Sequence, residues 1–113
     1  MSKQLDGKRV AILATDGFEH SELTEPRKAL QEAGAQVSVV SPHSGRIRSW
    51  VKADWGDEVD VDLELSAANA EDFDALVLPG GPINPDHLRV NKSAISFIRD
   101  FADSKKPIAA ICH

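Results

Sequence analysis

RVAILAT, residues 9–15, decides the fold. From Val10 to Ala14 every residue is apolar. A run so short and so uniform reads as a strand buried on both faces, as in the interior of a parallel sheet, where an exposed face would impose alternation. Three further runs punctuate the chain: QVSVVS (36–41), ALVLP (75–79) and PIAAIC (107–112). Helical patterns separate them. Leu23, Leu30 and Ala33 recur at helical spacing, Gly34 stands where a C-terminal stop belongs, and Pro26 is expected in the first turn or at a kink. Later, Asn91 suits an N-cap, and Ala94, Ile98 and Phe101 line one face of a second helix that ends at Lys105-Lys106-Pro107. Strand–helix–strand crossovers of this kind imply a parallel sheet with helices on its faces.

Residues 44–65 break the pattern. Apolar and polar residues alternate there, most clearly at Val59-Asp60-Val61-Asp62-Leu63, which predicts an antiparallel hairpin or edge extension. Trp50 and Trp55 are expected to pack that hairpin, and aromatic residues so placed also suit a subunit interface. SAANAEDFD (66–74) reads as a short helix or helical turn. The expected class is therefore α/β, a doubly wound parallel sheet sandwiched by helices, with a hairpin extension around residues 44–65.

Composition narrows the function. At 113 residues, 42 % hydrophobic and 27 % charged, the chain suits one globular domain. It has neither an apolar run long enough to span a membrane nor a secretory h-region at its start, so the expected location is the cytoplasm. Its single cysteine, Cys112, excludes an intramolecular disulfide and fits a reducing compartment. The net charge of −5 and the scatter of the 13 basic residues argue against a nucleic-acid partner. No cofactor is indicated, because no G-x-G-x-x-G follows the first strand, and His20, His43 and His87 lack metal-site spacing.

Open parallel sheets bind ligands beyond the carboxyl ends of their strands. Three unusual groups fall at such ends. Cys112-His113 follows the last strand; on a sharp strand-to-helix turn a thiolate would be stabilised by nearby N–H groups, although a free cysteine is as readily a small buried hydrophobe. Gly80 and Gly81 in LPGGP expose N–H groups suited to an oxyanion hole, although alone they read as a tight turn. Glu19, in TDGFEHSEL (15–23), joins the first strand to the first helix, as a proton-handling carboxyl or as an exposed acid at a helix start.

Taken in order, TDGFE, FDALVLPGG, NPDHLR and KPIAAICH resemble the ThiJ/PfpI family of the class I glutamine amidotransferase-like superfamily, whose members include PfpI-type intracellular proteases and stress-response deglycases. The resemblance covers nearly the whole chain and is loosest at the hairpin. It implies a flavodoxin-like sheet, with Cys112 as nucleophile, His113 as its imidazole partner and Glu19 as the acid touching the sulfur. It further implies an oxyanion hole at the Gly80-Gly81 turn, formed with the His113 N–H. Asp86 is placed to orient the histidine of a neighbouring subunit, hence a homodimer or larger homo-oligomer.

Implied substrates are small carbonyl compounds, glycated amines or peptides, attacked by the Cys112 thiolate. An alternative of another class is a redox-sensing or chaperone-like stress protein that uses oxidation of Cys112. A phosphorelay receiver is disfavoured, since Leu78-Pro79 stands where its aspartate belongs. Family members continue beyond the Cys-His pair, so residues 1–113 are expected to form the N-terminal portion of a single domain that breaks off at the nucleophile elbow.

Overall fold

The computed structural model describes residues 4–52, 54–80 and 91–110. In chain order the elements are β1 (Arg9–Leu13), β2 (Phe18–Glu19), α1 (His20–Glu32), β3 (Gln36–Ser41), β4 (Arg46–Val51), β5 (Asp54–Asp60) and β6 (Leu63–Glu64). Two 3-10 turns (Leu65–Ala67 and Ala70–Asp72) then lead to β7 (Ala75–Leu78), α2 (Lys92–Asp103) and β8 (Ile108–Ala110). The main sheet is wholly parallel, in the order β6-β3-β1-β7-β8. From β1 the chain steps one way to β3 and later the other way to β7, which puts a topological switch point between β1 and β7.

The uniform apolar run in β1 has the anticipated cause. Val10, Ile12 and Ala14 pack with Leu23 of α1 and with Ile47 and Val59 of the hairpin, while Ala11 and Leu13 pack on the opposite face with Ala94, Phe97 and Phe101 of α2. Successive side chains of a strand point to opposite faces, so a strand covered twice must be apolar throughout. β8 departs from this expectation. Its three residues are exposed, Ile108 at 37 %, because β8 lies at the sheet edge and no described helix covers it.

Both described helices end in the same motif. In α1, Gly34 takes φ +99° and donates to the Gln31 carbonyl while Ala35 donates to Leu30. In α2, Lys105 takes φ +58° and donates to Ala102 while Lys106 donates to Phe101. This double bond satisfies carbonyls that a helix end leaves unpaired. At the start of α2, the Asn91 side chain accepts from the Ala94 N–H at 2.9 Å, the expected cap. Phe97 joins Ala94 and Phe101 in the core, whereas Ile98, expected on that face, is half-buried at its margin. Pro26 lies in the interior of α1, not in its first turn, since the helix already begins at His20.

The hairpin forms, but more narrowly than residues 44–65. β4 and β5 pair antiparallel from Arg46 opposite Asp60 to Val51 opposite Asp54, with a register shift between Arg48 and Trp50. Trp50 and Trp55 meet edge to face, ring centroids 5.1 Å apart. Leu63 and Glu64 leave this hairpin and pair with Val40 and Ser41 in the main sheet. The alternation through Val59 and Leu63 thus belongs to two strands of two sheets. β2 also joins the hairpin, Phe18 and Glu19 lying parallel to Ser49 and Trp50, which completes a second sheet in the order β2-β4-β5.

Candidate functional site

The switch point is assembled by the loop that leaves β1. Gly17, at φ +90°, donates its N–H to the Arg48 carbonyl at 2.8 Å, and Asp16 Oδ1 accepts the Arg48 N–H at 2.8 Å. A side chain at position 17 would strain that conformation. The two bonds pin the loop to β4, so β2 pairs with the hairpin and α1 begins beside the end of β7.

There Glu19 occupies the N-cap position of α1 in an extended conformation, φ −75° and ψ 123°, with no side-chain cap bond. Its N–H donates to the Gly80 carbonyl at 2.9 Å. The Gly80 N–H donates in turn to Oε1 of Glu22, also at 2.9 Å. Both polar groups of Gly80 are therefore tied to the first turn of α1. Gly80, Pro79 and Thr15 are buried around this bracket, and Glu19 and Glu22 are half-buried. His20, the first residue of α1, has a buried Nδ1 with no hydrogen-bond partner among the described residues.

Glu19 stands at the switch point as expected, but what it gives to Gly80 is its backbone amide. The carboxylate bonded to the turn is that of Glu22, a residue the sequence reading passed over. Its signal was its spacing: three residues beyond Glu19, one helical turn on, it shares a face with the N-cap. Gly80 was expected to help form an oxyanion hole through its N–H; in this structure that N–H donates to Glu22. Gly81, Asp86, Cys112 and His113 lie outside the described residues. β8 runs parallel to β7 with Ala110 opposite Leu78. The sequence reaches Gly80 two residues after Leu78 and Cys112 two residues after Ala110.

Among the described residues no group of three or more His, Cys, Asp or Glu side chains is placed to hold a metal ion. No described helix is long and apolar enough to cross a membrane.

Comparison with known proteins adds the relatives. The model of the DJ-1/PfpI family matches residues 8–113. General stress protein 18 of Bacillus subtilis is 44 % identical over 108 residues, 95 % of this chain and 60 % of the relative. Protein/nucleic acid deglycase 2 of Escherichia coli is 40 % identical over 107 residues, 94 % of this chain and 60 % of the relative. The chain thus spans three-fifths of the length of these relatives. Among solved structures, that of oxidized Toxoplasma gondii DJ-1 superposes with a TM-score of 0.83 at 26 % identity, over 94 % of this chain and 56 % of that one.

Proposed function

The chain belongs to the DJ-1/PfpI family, and from that premise we propose that it serves a cysteine-dependent enzyme acting on carbonyl substrates, with the Cys112 thiolate as nucleophile. The substrate classes are glycated amines, α-oxoaldehydes such as methylglyoxal, and peptides; the deglycase name carried by one relative favours the first two. The observation that carries the reading is the bracketing of Gly80 to the first turn of α1 at the switch point, on the sheet edge where β8 leads toward Cys112.

In the proposed reaction the sulfur lone pair forms a bond to the carbonyl carbon, and the carbonyl π electrons move onto oxygen. The N–H groups of Gly81 and His113 stabilise that oxyanion, since the Gly80 amide is engaged elsewhere. With a peptide, His113 passes the proton taken from the Cys112 thiol to the departing amine, and water hydrolyses the resulting thioester. With an α-oxoaldehyde the adduct is a hemithioacetal, whose C1 hydrogen His113 moves as a proton to C2 to give a thioester that water hydrolyses to the 2-hydroxy acid. A glycated amine first expels its amine to release that α-oxoaldehyde. The carboxyl beside the thiolate comes from the start of α1, where Glu19 and Glu22 stand. Asp86 of a neighbouring subunit orients His113, so the working unit is a homodimer or larger, in the cytoplasm.

The test is a substrate panel of peptides, a glycated amine and methylglyoxal, run on the full-length protein and on Cys112→Ser. Turnover of one class by the unmodified protein and its loss in Cys112→Ser supports the reading. Equal turnover by both proteins removes Cys112 as nucleophile. Absence of turnover together with rapid oxidation of Cys112 by peroxide would favour redox sensing.

A further inference from the structure

We propose that Trp50 and Trp55 form the substrate-recognition wall of the candidate site and select, among α-oxoaldehydes, those that carry an aryl group beside the carbonyl. The inference rests on the Cys112 reading above and narrows its substrate class, through two side chains that the reading does not use.

A bulge in β5 turns Trp55 outward. Arg48 faces Glu58 and Trp50 faces Trp55, so the single residue Ser49 of β4 spans two residues of β5, Gly56 and Asp57. Trp55 stands three residues before the exposed Glu58, and plain alternation would aim it at the opposite face, where Val59 lies buried. The extra residue reverses that parity. Trp55 is therefore 43 % exposed, its ring 5.1 Å from that of Trp50 and at 89° to it. Glycine permits the bulge, because a Cβ at position 56 would collide with Ser49 and Val51.

The pair leads to the switch point. Phe18 and Glu19 lie parallel to Ser49 and Trp50. Phe18 and Ser49 are fully buried, so Glu19 and Trp50, next along their strands, share the outer face, and both are half-buried. Glu19, Trp50 and Trp55 thus form one row across the second sheet, and the Glu19 N–H ties the end of that row to the Gly80 carbonyl. Farther along the face the cross-strand pairs are Arg48 with Glu58 and Arg46 with Asp60. The face is charged away from Glu19 and aromatic beside it.

Packing does not account for this arrangement. Among the described residues neither tryptophan belongs to a buried cluster, and an indole turned outward forgoes the burial that the other face of the hairpin offers. Two rings at a right angle make a corner. A flat aryl group can lie against one ring and meet the other edge-on, the contacts that aromatic groups favour, whereas a methyl group covers little of either.

In the full-length protein, kcat/KM for phenylglyoxal is expected to exceed that for methylglyoxal by about tenfold. Trp50→Ala should bring this ratio to about one, and Trp50→Phe, which keeps a ring, should hold most of it. Trp55→Ala removes an exposed side chain; it should lower the ratio by about threefold or more, and it serves if Trp50→Ala fails to fold. A second readout needs no turnover. Acetophenone, an aryl ketone, is expected to shift the indole N–H resonances of Trp50 and Trp55, assigned with Trp50→Phe and Trp55→Phe, while acetone at the same concentration shifts neither.

A ratio near one in the unmodified protein overturns the proposal, as does a ratio that the alanine variants leave unchanged. So does a Trp55→Ala protein that dissociates into smaller units while keeping its ratio, because the row would then be a subunit contact. If the unmodified protein turns over neither α-oxoaldehyde faster than Cys112→Ser does, the Cys112 reading has failed on this class. The indole shifts alone then decide whether the row holds an aryl group, and their absence overturns the proposal.

Discussion

Asp62 holds Val39 by both of its backbone groups: the Val39 N–H donates to Asp62 Oδ2 at 2.7 Å, and the Asp62 N–H donates to the Val39 carbonyl at 2.9 Å. Asp74 does the same to Arg9, whose N–H donates to Oδ2 at 2.8 Å and whose carbonyl accepts the Asp74 N–H at 2.7 Å. Each aspartate immediately precedes a strand, β6 in one case and β7 in the other. Each therefore fixes where a new strand enters the parallel sheet. Asp62→Ala is expected to destabilise the protein by about 1–3 kcal/mol, because it leaves the N–H of the buried Val39 without its partner. Asp62→Asn, which keeps an acceptor, should cost less. Urea denaturation of the two variants checks the order, and equal midpoints would count against the hydrogen bond as the cause.

Asn91 carries the start of α2. Replacement by alanine removes the acceptor for the Ala94 N–H and is expected to lower stability by about 1 kcal/mol. Asn91→Asp and Asn91→Ser should remain close to the parent. A thermal midpoint for Asn91→Ala indistinguishable from that of Asn91→Ser would contradict the capping role.

Lys105 closes α2 in the left-handed region at φ +58°, a conformation that costs an L-residue energy and costs glycine almost none. Lys105→Gly is therefore expected to gain up to about 1 kcal/mol, the residual being limited by the greater freedom of glycine in the unfolded chain. Chemical denaturation measures it; a loss of stability would show that the lysine side chain matters more than its φ.

Gly56 sits in the bulge of β5, where Gly56 and Asp57 face the single residue Ser49 of β4. A Cβ there would stand 2.7 Å from Ser49 Oγ and 2.7 Å from Val51 Cγ2. The Ser49 hydroxyl is buried and donates to the Asp57 carbonyl at 2.9 Å, so it cannot move aside without breaking that bond. Gly56→Ala is expected to destabilise by about 1–3 kcal/mol through overpacking. An unchanged unfolding midpoint would mean that the hairpin relaxes more easily than its contacts suggest.

Periodicity and local chemistry settle a great deal here. The double burial of β1 is written in Val10 to Ala14, the stop of α1 in Gly34, the start of α2 in Asn91, and the hairpin in its alternation. These are local signals, because a strand covered on both faces, a left-handed residue or a cap each imposes its demand on the residue at that position. β2 and β6 are different: two residues each, without a period of their own, they exist only because β4 and β3 pass beside them. The same holds for the candidate site. That an acid would stand at the end of the first strand was legible in TDGFE, but which carboxylate meets the Gly-Gly turn was not. Glu22 and Gly80 are 58 residues apart, and their contact depends on the register of β7 against β1, the pinning of Gly17 to Arg48 and the first turn of α1 all being in place. A sequence pattern states which residues call for burial, as in β1 and also in β8, whose residues are exposed among the described ones; only the packed chain decides which partner each meets, because partners are set by the register of elements far apart along the chain.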